Sequence, residues 1–160
     1  MTQEKKSAQF LVKRLTAANL TLSTAESCTG GLIAKLITDV VGCSAAFAGG
    51  CVTYTNEVKH ALLGVEQRIF GQYTEVSEPC AKAMAEGVRA RLNTDIGVST
   101  TGYAGPSGGT EKDPVGTVYI AVATPSRTIC RRIQAPKGST RGQVRHLAAT
   151  TAIRMVAEVL

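Results

Sequence analysis

The stretch LTLSTAESCTGGLIAKLITDVV, residues 20–41, decides the fold. Leu20 to Thr24 reads as a short strand, and Leu32, Ile33, Leu36, Ile37 and Val40 then share one side of a helix. Between them lies the polar turn Glu26-Ser27-Cys28-Thr29-Gly30-Gly31. A strand feeding a helix through a glycine-rich turn is the building unit of α/β proteins.

Outward from this unit the alternation continues. Ala8, Leu11, Leu15 and Ala18 are spaced as a helix over residues 5–18. Residues 46–54 read as a strand ending at Tyr54, and Asn56 opens a short helix to about Leu63. Ser77 is placed to cap a further helix whose buried stripe is Cys80, Met84, Val88 and Leu92. Ile96 to Thr101 forms a strand that runs into a glycine-rich loop at residues 102–109. Strands 115–123 and 127–134, joined through Pro125-Ser126, read as a hairpin. A last helix from about Thr140 buries Val144, Ala148, Ala152, Met155 and Val159. The expectation is one α/β domain over residues 1–160, with helices covering both sheet faces.

Composition narrows the function. Hydrophobic residues are 44% and charged residues 19%, which suits a globular core. Aromatics are only 4%, too few to build a platform for stacking nucleic-acid bases. The net charge of +6 comes from scattered residues, so an anionic small molecule is the expected partner and nucleic acid is not. Cys28, Cys43, Cys51, Cys80 and Cys130 form no CxxC pair, and only His60 and His146 could join them, so neither a metal nor a cofactor is expected. Reduced thiols and the missing leader-like apolar run point to the cytoplasm, and nothing reaches the length of a membrane span.

Four polar clusters carry the chemistry. In open α/β sheets ligands gather at the carboxyl ends of strands, so the clusters are expected to converge there. The first is Ala25 to Gly31, where Ser27 and Thr29 supply hydroxyls and Cys28, Thr29, Gly30 and Gly31 supply N–H groups at a helix start. With no GK[ST] ending it is not a P-loop, and Cys28, with no histidine near it in sequence, reads as an inert thiol. The second holds Ser44, between Gly42-Cys43 and Gly49-Gly50. The third is Thr53 to Lys59. If Asn56 caps that helix, Lys59 is its third residue, where the helix dipole and burial both disfavour the ammonium form. A neutral lysine can take a proton from serine. The fourth joins Thr101, Gly102 and Gly105 with Arg141 and Arg145, which lie on one helix face and could grip a phosphate.

The segments AESCTGG (25–31), VTYTNEVK (52–59), LLGV (62–65), VSEP (76–79), TGYAGPSGG (101–109), PVGTVY (114–119) and the Arg141–Arg145 pair closely resemble the C-terminal domain of the competence/damage-inducible protein CinA. That family includes stand-alone nicotinamide mononucleotide deamidases. The resemblance implies a three-layer α/β/α sandwich with a mixed, mostly parallel sheet. It also implies hydrolysis of the nucleotide's carboxamide to nicotinic acid mononucleotide and ammonia, in pyridine nucleotide salvage, by a Ser–Lys arrangement without metal. On this reading Lys59 is the base and Ser44 the preferred nucleophile, with Ser27 the other candidate. Tyr54 and Thr101 orient the amide, Cys28 to Gly31 donate N–H groups, and Arg141 or Arg145 holds the 5′-phosphate. A homodimer is implied as well. The family commonly reads G-S-S where this chain has Gly42-Cys43-Ser44, and G-I-A-G-P-D-G-G where it has Tyr103 and Ser107. The alternative expectation is a catalytically silent paralogue that binds nucleotides or partners, with a link to competence or DNA damage.

Overall fold

A computed structural model describes residues 2–160. In chain order the elements are α1 (Gln3–Ala18), β1 (Leu22–Glu26), α2 (Leu32–Thr38), a short 3-10 turn (Cys43–Ala45), β2 (Phe47–Val52), α3 (Asn56–Leu63), α4 (Gln67–Tyr73), α5 (Glu78–Leu92), β3 (Ile96–Gly102), β4 (Thr117–Ala123), β5 (Thr128–Gln134) and α6 (Arg141–Glu158). The five strands form one sheet in the order β2-β1-β3-β4-β5. β1 pairs in parallel with β2 and β3, while β3–β4 and β4–β5 are antiparallel. Only β4 runs against the other strands, so the sheet is mixed, as expected.

Helices α1, α2 and α6 cover one face around Leu22, Val98, Ile120 and Val122. Helices α3, α4 and α5 cover the other, completing the α/β/α sandwich. The second face is lined by small residues: Ala25 on β1, Gly97 and Ser99 on β3, Ala121 and Ala123 on β4. They let α5 lie close enough for Ser99 Oγ to donate to the Ala81 carbonyl at 2.6 Å. β1 is buried along its whole length although it reads Leu-Ser-Thr-Ala-Glu. Polar groups buried in a central strand usually find partners. Ser23 does, with Thr94 at 2.7 Å.

The sequence reading did not include α4. Its single buried residue, Ile69, leaves too thin a stripe for periodicity to register. Among the described residues, no helix is long and apolar enough to cross a membrane.

α3 is held against α5 at Gly87, where an added Cβ would stand 2.1 Å from the Leu63 carbonyl oxygen. That oxygen is backbone and cannot step aside. Gly87→Ala is therefore expected to cost about 1–3 kcal/mol, despite alanine's better helix propensity. A thermal melt checks this, and an unchanged or raised midpoint refutes it.

Candidate active site

Three of the four polar clusters, those of Ser27, Lys59 and Gly105 with the α6 arginines, meet at the carboxyl ends of the parallel strands. Ser27 directly follows β1, and its N–H donates to Thr100 O on β3 at 3.0 Å. Thr53 directly follows β2, its N–H donating to Glu26 O at 2.9 Å. Thr55, not Asn56, caps α3 by accepting from Val58 N. Lys59 is thus the fourth residue of α3, one position later than expected, and points inward.

Lys59 is only 1% exposed, yet it is among the bulkiest fully buried side chains. Its Nζ donates to Ser27 Oγ at 3.1 Å and to the Tyr54 carbonyl at 3.1 Å. No carboxylate forms an ion pair with it among the described residues. Burial pulls its pKa below the ordinary lysine range, against the weaker opposing influence of Cys80, Glu75, Cys28 and Glu57. The amine therefore loses its proton more readily than a surface lysine, and it does so beside a hydroxyl.

The turn after β1 is organised by Glu26, to which the sequence reading gave no role. This carboxyl is 1% exposed. It accepts from Thr29 Oγ1 at 2.6 Å, Gly31 N at 3.1 Å, Ile33 N at 3.0 Å and Ala34 N at 2.9 Å. Glu26 thus caps α2 from within the sheet, and Thr29 does not serve as the N-cap. Gly30 and Gly31 both take positive φ, at 57° and 97°, which lets the chain fold back over that carboxyl. Of the amides expected to face a ligand, Gly31 is taken by Glu26 and Gly30 by Ser27 O. Among the described residues, no other residue accepts from the Cys28 or Thr29 amide, and the Cys28 amide lies against its own thiol. The Cys28 thiol is buried and pushed up to about 12, as befits an inert thiol.

Across the rim, Arg141 donates to Gly105 O at 2.8 Å and to Tyr54 Oη at 3.0 Å. Arg145 donates to Thr29 O at 2.8 Å. Each guanidinium has five N–H donors, so both keep some for a ligand. Tyr54 is 58% exposed.

One expectation is corrected. Ser44 does not stand beside Lys59: it is exposed in the 3-10 turn leading into β2, next to Ala46, whose carbonyl accepts from Leu22 N. It therefore lies at the amino-terminal edge of the sheet, separated from Ser27 by the length of β1, on the order of 15 Å. The Thr101 hydroxyl spends its one proton on Glu75 O at 2.6 Å, which leaves it an acceptor only. Gly102 leaves room for β4, since a Cβ there would stand 2.4 Å from Thr117 O.

The model of the CinA C-terminal domain matches residues 4–160. The chain belongs to the CinA C-terminal domain family. A CinA-like protein of Syntrophus aciditrophicus is 48% identical over 146 residues, which cover 91% of this chain and 34% of that protein. A CinA-like protein of Myxococcus xanthus is 46% identical over 154 residues, or 96% of this chain and 36% of the relative. The chain thus spans about a third of the length of the curated relatives it matches. Among solved structures, the competence/damage inducible protein CihA from Agrobacterium tumefaciens superposes with a TM-score of 0.95 at 34% identity, covering 99% of this chain and 96% of that one. A CinA superfamily protein from Escherichia coli gives 0.94 at 32% identity, covering 99% and 91%. The glycine-rich turns and the buried lysine of this CinA domain are therefore described on a fold known from crystals.

Proposed function

We propose that this CinA domain is an amidohydrolase that removes the carboxamide nitrogen of nicotinamide mononucleotide, with Ser27 as nucleophile and Lys59 as base. The observation that carries the reading is the 3.1 Å contact between Ser27 Oγ and a lysine that burial holds toward its neutral form. Serine is a weak nucleophile until a neighbouring base takes its proton, and an uncharged amine in that place can do so. Ser27 replaces Ser44 as the favoured nucleophile because only Ser27 reaches the amine.

Ser27 Oγ attacks the carboxamide carbon while Lys59 accepts its proton. The oxyanion is met by the amides of Cys28 and Thr29. Lys59 then gives the proton to the departing nitrogen, ammonia leaves, and an ester remains on Ser27. Water repeats the sequence through the same lysine and releases the acid. Arg141 and Arg145, at the outer rim, take the 5′-phosphate with the N–H groups they have not spent internally.

The test is ammonia release from nicotinamide mononucleotide by purified protein, comparing Ser27→Ala with Ser44→Ala. Ser27→Ala is expected to lose at least about a thousandfold in kcat, as nucleophile removal does in other serine hydrolases. Ser44→Ala is expected to stay within about threefold of the parent, an effect under about 1 kcal/mol. The reverse order would transfer the nucleophile's role to Ser44. Absence of ammonia from the parent protein would remove the substrate assignment.

A further inference from the structure

Among the described residues, the buried side-chain nitrogen and oxygen atoms are paired except for the hydroxyls of Thr24 and Thr53. A buried hydroxyl without a partner is a standing cost to the fold, so each one calls for an explanation. Thr24 lies within β1, on the same side as Leu22 and Glu26, facing α2 and away from Lys59. It leans into the space left by Gly50, where a Cβ would stand 2.0 Å from its Oγ1.

Thr53 is placed differently. Glu26 pairs with Val52 on one side and Thr100 on the other, so the next register position aligns Thr53, Ser27 and Thr101. The backbone bonds of Ser27 and Thr53 carry the ladder to this row. Cys51, two residues before Thr53 and therefore on the same face, packs with Leu63 and Cys80 beneath α3 and α5. That is the face on which Lys59 reaches Ser27. Strands lie about 4.8 Å apart, so the Thr53 and Ser27 side chains are immediate neighbours. The next residue, Tyr54, supplies the carbonyl that Lys59 holds. Of the three hydroxyls in the row, Ser27 is engaged by Lys59 and Thr101 by Glu75 O, while Thr53, 0% exposed, has no partner among the described residues.

We infer that the Thr53 hydroxyl holds the group that leaves and the group that arrives: ammonia in the first half of the reaction and the attacking water in the second. The inference rests on the Ser27–Lys59 reading and deepens it. With the oxyanion on the Cys28–Thr29 side of Ser27, the nitrogen must face Lys59 to receive a proton. That direction is the β2 side, where Thr53 stands. In acylation the carbon–nitrogen bond breaks, its electron pair stays with nitrogen, and the proton from Lys59 completes ammonia, with Thr53 Oγ1 accepting an N–H. In deacylation water takes the same place and donates one hydrogen bond to Thr53 Oγ1. Its other proton passes to Lys59, its oxygen bonds to the acyl carbon, and Ser27 Oγ leaves and is reprotonated by Lys59.

Thr53→Val keeps the shape of the side chain and removes only the hydroxyl. With nicotinamide mononucleotide, kcat is expected to fall at least about tenfold, with KM within about twofold and the melting midpoint unchanged or raised. Thr53→Ser is expected to restore most of kcat. p-Nitrophenyl acetate, whose leaving group departs without a proton, isolates the second half: Thr53→Val keeps the initial burst and slows the steady phase. Parent-like kcat, a raised KM alone, or a lowered melting midpoint in Thr53→Val would each overturn the inference. If Ser27→Ala still hydrolyses the nucleotide and still shows the burst, the Ser27–Lys59 reading itself fails, whatever Thr53→Val does.

Discussion

Lys59→Met is expected to give a protein that melts at a higher temperature than the parent and releases no ammonia from nicotinamide mononucleotide. Methionine fills the space of the lysine stem and brings no charge into the interior. The parent buries an amine with no carboxylate paired to it, so its protonated form is held at a cost. Removing that cost is worth about 1–3 kcal/mol, or roughly 3 °C of melting midpoint per kcal/mol in a chain of this size. The gain depends on pH in a defined direction. Unfolded, Lys59 keeps its proton up to the ordinary value of 10.5; folded, it releases it at lower pH. Between those values the unfolded chain binds more protons, so the parent's stability rises with pH. The advantage of Lys59→Met is therefore full below the folded pKa and shrinks as pH climbs toward 10.5. Parent activity should rise over the same range as the base becomes neutral. Melting curves at several pH values decide the matter: an advantage that grows with pH, or a less stable variant at neutral pH, would contradict it.

Glu26→Ala is expected to be the most damaging single change to the fold. It strips the partner from the amides of Gly31, Ile33 and Ala34 and from the Thr29 hydroxyl at once. Several buried donors left unpaired cost about 3–5 kcal/mol together, so the melting midpoint should fall by about 10 °C or more. Thr29 also hydrogen-bonds Thr100 at 2.7 Å, so the loosening extends into β3. Glu26→Gln keeps the shape and some of the acceptors, and should recover part of the loss. A Glu26→Ala protein that melts within 2 °C or so of the parent would mean these bonds are replaced by water at little cost.

Most of the architecture was legible because its signals are periodic or punctuated. The stripe of Leu32, Ile33, Leu36 and Ile37, the Ser77 cap and the Pro125-Ser126 turn each appear where the residues placed them. Lys59 alone reads as well as a solvated surface lysine, and the resemblance to the family singled it out; what the sequence could not show is its burial beside Ser27. Ser44 was misplaced for a physical reason. Sequence position says that it sits in a turn but not at which end of the strand, and a turn before β2 lies far from a turn after β1. Glu26 drew no role because charged residues at strand ends are ordinarily solvated; only the register shows it closed beneath α2. Thr53 carries no signal in sequence. Its significance is that a hydroxyl lacks a partner, and partners are a property of the folded chain.

The two guanidinium struts of α6 have a consequence for synthesis. Arg141 and Arg145 brace the Gly105 loop, Tyr54 and the Thr29 turn, yet they follow all five strands in the chain. A ribosome-bound fragment ending near residue 140 already carries the serine and the lysine but none of the bracing that sets the mouth around them. The surroundings of the Ser27–Lys59 pair are thus completed only once α6 has emerged and docked.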